Sequence, residues 1–167
     1  LAGSSAASDV YKRQVMVFAK DATAKRDLQQ QFHDRDVHRM YCARVEGKPN
    51  PPFGTVRTWL MEDKHLNVKA VNKQHPQGKE AISHYHVVES TEESSLVEVS
   101  IETGRRHQIR MAMQYLGTPV VGDERHGATL NPHQRIMLHA SSLEFLHPEN
   151  DNPVRFEAPL PRTFVDV

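Results

Sequence analysis

Arg105, Arg106 and His107 stand side by side in "ETGRRHQIRMAMQYLG", and Arg110 follows three residues later. Guanidinium groups grouped this way suit one kind of visitor, an oxyanion. A phosphate or carboxylate accepts charge-assisted bonds from an arginine fork. The cluster falls where a helix should begin, and the unpaired N–H groups and dipole at that end already favour negative charge. A basic group there is locally unfavourable unless an anion comes to it. The plain alternative is a set of solvated surface side chains, which fits Arg106 and His107 as well as a ligand does. Arg105 differs because it directly follows a strand and a Thr-Gly turn, a sheet end of the kind where ligands commonly bind.

The elements that must position these side chains are written in the flanking periodicity. Val97, Val99 and Ile101 alternate with Glu98, Ser100 and Glu102, the pattern of a strand with one buried face. Ile109, Ala112, Met113 and Leu116 recur at helical spacing, and Gly117 follows as a stop. With Thr103 as N-cap and Gly104 allowing a sharp turn, the spacing predicts a helix over 104–116 whose first turn holds Arg105, Arg106 and His107. Upstream, Ala24, Leu28 and Phe32 recur every four residues behind Asp21, predicting a helix over 22–33 capped by Asp21. Strands are expected at 15–20, 38–46, 54–60, 65–71, 79–89 and 95–102, with short strands after 116. Runs of strands broken by two good helices predict an α+β fold. The stretch "VEGKPNPPFGT" reads as a loop between strands, because it lacks the Gly-Lys-Ser/Thr ending of a phosphate-binding loop.

"TGRRHQIR" followed by "LGTPVVGDERHG" resembles the C-terminal signature of the RluA-type pseudouridine synthases, and "VMVFAKDATAKRDLQQQF", "RMYCARVEG", "GKEAISHYHVV", "IMLHASSLEFLHP" and "FEAPLP" fall in that family's order. The resemblance covers about residues 15 to 161. It implies an α+β catalytic domain around a mixed, mostly antiparallel sheet. It further implies isomerisation of a uridine in ribosomal or transfer RNA to pseudouridine: the N-glycosidic bond breaks and the base rejoins through C5, with no metal and no cofactor. In the family an aspartate is the nucleophile, a tyrosine lies against the base and a basic residue pairs with the aspartate. Tyr41 takes the place of the tyrosine and Arg105 that of the basic residue, while Arg106, His107 and Arg110 are the nearest cationic candidates for RNA phosphates. The nucleophile departs from the pattern. Counting back from Phe18, Asp9 lands on the catalytic register, but the family's Arg-Leu before it and Thr-Ser-Gly after it are replaced by "LAGSSAASDVYKRQ". Residues 1–14 are therefore expected to be a lead segment outside the family match, disordered or cloning-derived, and 15–167 the C-terminal portion of the catalytic domain.

At 167 residues and 38% hydrophobic content the chain can bury one sizeable core. Lysine plus arginine equal aspartate plus glutamate at 21 each, so any grip on RNA must be local. Residues 1–110 hold 17 basic against 14 acidic side chains, and residues 111–167 hold 4 against 7. Lys25 and Arg26 read as a solvated helix face. Cys42 is the single cysteine and has no recognisable base beside it, so it reads as a small buried hydrophobe. The eleven histidines, His84, His86, His126, His133 and His139 among them, lack metal-ligand spacing and read as structural or surface residues. A lone cysteine and no 18-residue apolar run lead to an expectation of a cytoplasmic, membrane-free protein; it is expected to be a monomer, and the resemblance implies RNA as its partner. Three function classes follow: an RNA pseudouridine synthase, a non-catalytic RNA-binding module of the same fold, and a small-phosphate enzyme using the same arginine.

Overall fold

The structure is a computed structural model that describes residues 14–164. Its elements in chain order are α1 (Ala22–Asp34), β1 (His38–Glu46), β2 (Phe53–Glu62), β3 (Val68–Val71), β4 (Lys79–Ser90), β5 (Ser94–Ile101), α2 (Gln108–Tyr115), β6 (Leu138–Leu146) and β7 (Pro153–Glu157), with short 3-10 turns at Glu124–His126 and Arg162–Phe164. The fold is α+β, as the periodicities predict. β2 pairs antiparallel with β3 and β4, β4 with β5, and β6 with β7. The described residues divide into two compact units, 42–138 and 14–41 with 139–164, and the boundary falls within β1.

In the unit of residues 42–138 the strand order is β3-β2-β4-β5 with the second half of β1 beside β5. One face of these strands supplies Val45, Val56, Leu60, Ala81, Tyr85, Val97 and Val99 to the core. Helix α2 adds Ile109, Ala112 and Met113, all buried, which is the stripe read from the sequence. Met113 is fully buried, so truncating it to Ala costs about 2–5 kcal/mol by leaving a cavity. The helix stops where expected: Gly117 has φ +75° and its N–H returns to the Gln114 carbonyl at 2.9 Å.

In the other unit the first half of β1, β6 and β7 lie side by side, and Leu28, Val37, Leu143 and Phe145 form a small core. Asp21 caps α1 as its position predicts, its carboxylate accepting from the Thr23 and Ala24 N–H groups at 2.8 Å. The strand expected at 15–20 does not form. Val15 and Val17 turn inward in alternation and pack on the core, which explains the period. A single ladder-type bond, Val15 N–H to the Ala140 carbonyl at 3.1 Å, is what this stretch makes with β6. Alternation records a buried face and does not by itself supply a pairing partner.

Candidate functional site

The turn between β5 and α2 is where the sequence places its chemistry, and the structure builds it differently in one respect. α2 begins at Gln108, so Arg105, Arg106 and His107 precede the helix instead of forming its first turn. His107 occupies the cap position in the left-handed conformation, φ 55° and ψ 16°, and its side chain makes no capping bond. Thr103 is buried and serves another end: its hydroxyl donates to Gln108 Oε1 at 2.8 Å and accepts from the Ile82 N–H at 2.9 Å. Capping statistics alone could not foresee this, because the competing partner is a side chain five residues away.

Gln108 ties the turn down. Its Oε1 accepts from the Thr103 hydroxyl and from the Arg105 N–H at 3.0 Å, while its Nε2 donates to the Ile82 carbonyl at 2.8 Å and to Ser83 Oγ at 3.1 Å. All the bonding capacity of the amide is used inside a buried site, which makes a rigid link between the turn and β4. Arg105 itself is exposed and is steadied by Nε donating to the Glu80 carbonyl at 3.0 Å. Among the described residues its two terminal guanidinium nitrogens have no partner.

Arg105 and Arg106 open onto a concavity of about 430 Å³. Lys79 joins them on its wall, Glu62 is the acidic lining residue, and Leu60, Met61, Val68, Gln77 and Gly104 complete it. Arg106 and Glu62 approach only to 3.6 Å, and both are more than 40% exposed, so this pair is loose. Three cations against one carboxylate leave the hollow positive in a chain of zero net charge.

Behind the turn lies a second cluster, built from residues too far apart in the chain for any local pattern to join them. Arg110 grips Asp123 with both ends of its fork, Nε to Oδ2 and Nη2 to Oδ1, each at 2.6 Å. The Asp123 side chain is fully buried. Burial alone pushes its carboxyl pKa up, but the bonds and charges of Arg110 and His126 overcome that and hold it below the ordinary aspartate value. His126, also buried, sets Nδ1 2.9 Å from Asp123 Oδ1 and meets the His107 ring edge-on, centroids 5.2 Å apart at 86°. Gly122 makes the geometry possible: at φ +80° a Cβ there would lie 1.9 Å from the Arg135 carbonyl oxygen. His107 Nδ1 is buried without a hydrogen-bond partner. Burial first, then the positive charges of Arg110, His126, Arg106 and Arg125, lower its pKa from 6.5 to about 4, so His107 is neutral at pH 7.

The other residues singled out from the sequence fall as follows. Tyr41 is half-buried on β1 in the other unit; burial raises its phenol pKa, partly offset by Arg39. Asp9 lies outside the described residues. Cys42 is buried as a small hydrophobe. His84 ties strands together, Nδ1 to the Thr55 hydroxyl and Nε2 to Glu102, each at 2.8 Å, and His86 faces Glu98 at 3.7 Å. His139 is buried, with Nε2 against the Ala158 carbonyl at 3.1 Å. No group of three His, Cys, Asp or Glu side chains among the described residues is arranged to hold a metal ion. No helix among them is long and apolar enough to cross a membrane.

Comparison with known proteins agrees with the motif order. The family described as RNA pseudouridylate synthase matches residues 15–115, and the chain belongs to that family, of the RluA type expected from its signature. The chain is 36% identical to the ribosomal large subunit pseudouridine synthase D of Xanthomonas campestris, with 88% of this chain and 48% of the relative aligned. It is 32% identical to the ribosomal large subunit pseudouridine synthase C of Vibrio cholerae, over 87% of this chain and 48% of the relative. Among solved structures, human RNA pseudouridylate synthase domain containing 4 superposes with a TM-score of 0.75 at 25% identity, covering 90% of this chain and 68% of that one. The chain thus spans about half the length of the curated relatives it matches.

Proposed function

We propose that the protein acts as an RNA pseudouridine synthase, with the turn at Arg105 as the arginine side of its catalytic centre. The observation that carries this reading is the convergence of Arg105, Arg106 and Lys79, with donors to spare, on one concavity directly after the family's Thr-Gly-Arg motif. In this reading Arg105 pairs with the nucleophilic carboxylate and keeps it ionised, and Tyr41 lies against the base. A carboxylate at the Asp9 register attacks C1′ as the bond from N1 to C1′ breaks, C5 of the turned base then bonds to C1′ and displaces the carboxylate, N1 takes up a proton, and the C5 proton leaves to solvent. The target base must leave its stack to be reached, so flanking phosphates need a firm grip. Arg106 and Lys79 are assigned that grip. His107 and Arg110, candidates for it from sequence, are assigned to shaping the turn, since the first is neutral at pH 7 and the second is committed to Asp123. Ribosomal RNA is the favoured substrate because the named relatives are ribosomal enzymes, and the cytoplasm, as a monomer, is the setting proposed.

A second reading, RNA binding without turnover, is favoured by the missing Arg-Leu and Thr-Ser-Gly flanks of Asp9, because a nucleophile needs its supporting shell held to about 0.5 Å. Tritium release from uridine-labelled ribosomal RNA separates the two: robust turnover selects the enzyme, and binding with no release selects the module. Salt dependence of binding tests the phosphate assignment. Changing Arg106 and Lys79 each to Ala should lower the slope of log K against log salt by about 0.7 per residue on single-stranded RNA, equally for different sequences. Equal affinity for free uridine monophosphate and structured RNA would instead mean a small-phosphate enzyme.

A further inference from the structure

We infer that Asp123 is a positioning residue for the candidate catalytic arginine: through Arg110 and His126 it holds His107 in its left-handed turn and so fixes the direction in which Arg105 and Arg106 are presented. The inference rests on the reading of Arg105 as part of the reactive centre, and it adds a role for a carboxylate that touches neither concavity nor substrate.

The chain of contacts is short and closed. A non-glycine residue at φ 55° is strained and persists only where its surroundings hold it. Part of the hold on His107 is backbone, the Met111 N–H donating to its carbonyl at 2.9 Å. The ring is the other part. Its Nδ1 has no hydrogen-bond partner, so the ring is kept in place by packing, edge-on against His126. His126 cannot swing away, because its Nδ1 lies 2.9 Å from Asp123 Oδ1 and 3.1 Å from Arg110 Nη2, so either tautomer leaves it bonded to one member of the buried pair. Asp123 thus receives two charge-assisted bonds from α2 in full burial, and His126 of the 3-10 turn at Glu124–His126 stands within bonding distance of both members of the pair. Gln108 binds the near end of the same turn through the Arg105 N–H. The turn is thus pinned at both ends, and the far pin is Asp123. This also accounts for two separated sequence blocks, "TGRRHQIR" and "GDERHG", as parts of one device.

The test reads Arg105 directly. In the ¹⁵N-labelled full chain the Arg105 Nε–H resonance, identified by its loss in Arg105→Lys, reports the bond to the Glu80 carbonyl. In Asp123→Asn, with spectral dispersion showing a folded protein, that resonance should shift or broaden beyond detection, the His107 ring signals should move, and affinity for single-stranded RNA should fall about tenfold. Glu124→Gln, one residue along and exposed, should leave all three unchanged. His126→Ala should reproduce the loss of the Arg105 signal, and so should His126→Phe, which keeps a ring but cannot bond Asp123. A full Arg105 signal in folded His126→Phe would mean that ring packing alone holds the turn and would overturn the role of Asp123. Unmoved Arg105 and His107 signals in folded Asp123→Asn overturn the inference. If Asp123→Asn does not fold, an unmoved Arg105 signal in His126→Ala overturns it equally. Failure of the wild-type chain to bind RNA would sink the proposed function instead, and the resonances would still decide the role of Asp123.

Discussion

A hollow of about 430 Å³ in residues 42–138 and one of about 780 Å³ in the other unit are walled by opposite chemistry. The smaller presents Arg105, Arg106 and Lys79. The larger is lined by Met16, Val17, Phe18, Leu28, Phe145 and Phe156, with Lys20, Asp21 and Glu149 among its polar members. Size favours the second and chemistry the first. Ligand sites combine a concavity with a few convergent polar groups, and in the smaller hollow those groups are backed by a buried network that runs from Gln108 on one side to Asp123 on the other. The apolar hollow is flanked by Met16 and Phe18, which are 70% and 77% exposed and make no comparable network. Rigid backing, more than volume, marks the place where chemistry can be done.

That contrast can be broken at four points. Arg110→Ala removes one partner of a buried ion pair and should cost about 3–5 kcal/mol of stability, read as a lower urea midpoint at unchanged slope. A loss under 1 kcal/mol would mean that the backing is not rigid. Arg105→Ala should leave the fold intact and, on an RNA that the protein modifies, lower turnover by about 100- to 1000-fold, the scale of losing one preorganised charge partner, while RNA affinity changes far less. Equal losses in both would make Arg105 a binding residue. The His107 imidazole should titrate by NMR near pH 4. Because the unfolded chain takes up this proton near pH 6.5 and the folded chain only near 4, the stability it contributes is fully present above about 6.5 and is lost as pH falls through that window. A midpoint near 6.5 would place His107 in solvent. The smallest effect is expected in the apolar hollow, where Met16→Ser with Phe18→Ser should shift stability by no more than about 0.5 kcal/mol and leave RNA affinity unchanged. A clear drop in affinity would move the RNA interface to that unit.

Legibility in the sequence followed the range of the interactions. α1 and its Asp21 cap, β1 and the buried stripe of α2 were readable because each depends on neighbours within one or two turns. The start of α2 was not, because Thr103 is taken by Gln108 and His107 is held left-handed by contacts from residues 123–126. Arg105 was found through its place after a strand and a Thr-Gly turn, together with the family motif. Arg110 was recognised as a cation, but its burial against Asp123 has no local signature. Lys79 stood unremarked at the start of a strand, where only the fold brings it beside Arg105. Gln108 stands four residues before Ala112 on the buried face of α2, a local sign that it lies near the core, whereas the burial of Asp123 past the end of that helix has no local sign.

Gly122 carries a consequence for how freely this gene can vary. A Cβ there would meet the Arg135 carbonyl oxygen, a backbone atom that no rotamer change can move aside. Gly117 also has a positive φ, but open space surrounds it. In a saturation scan, position 117 should accept Asn and other small residues that tolerate the left-handed region, whereas position 122 should accept a single letter. Any missense change at codon 122 would force the backbone next to Asp123 to shift, so the turn at Arg105 can be disturbed from a position that bears no functional group at all.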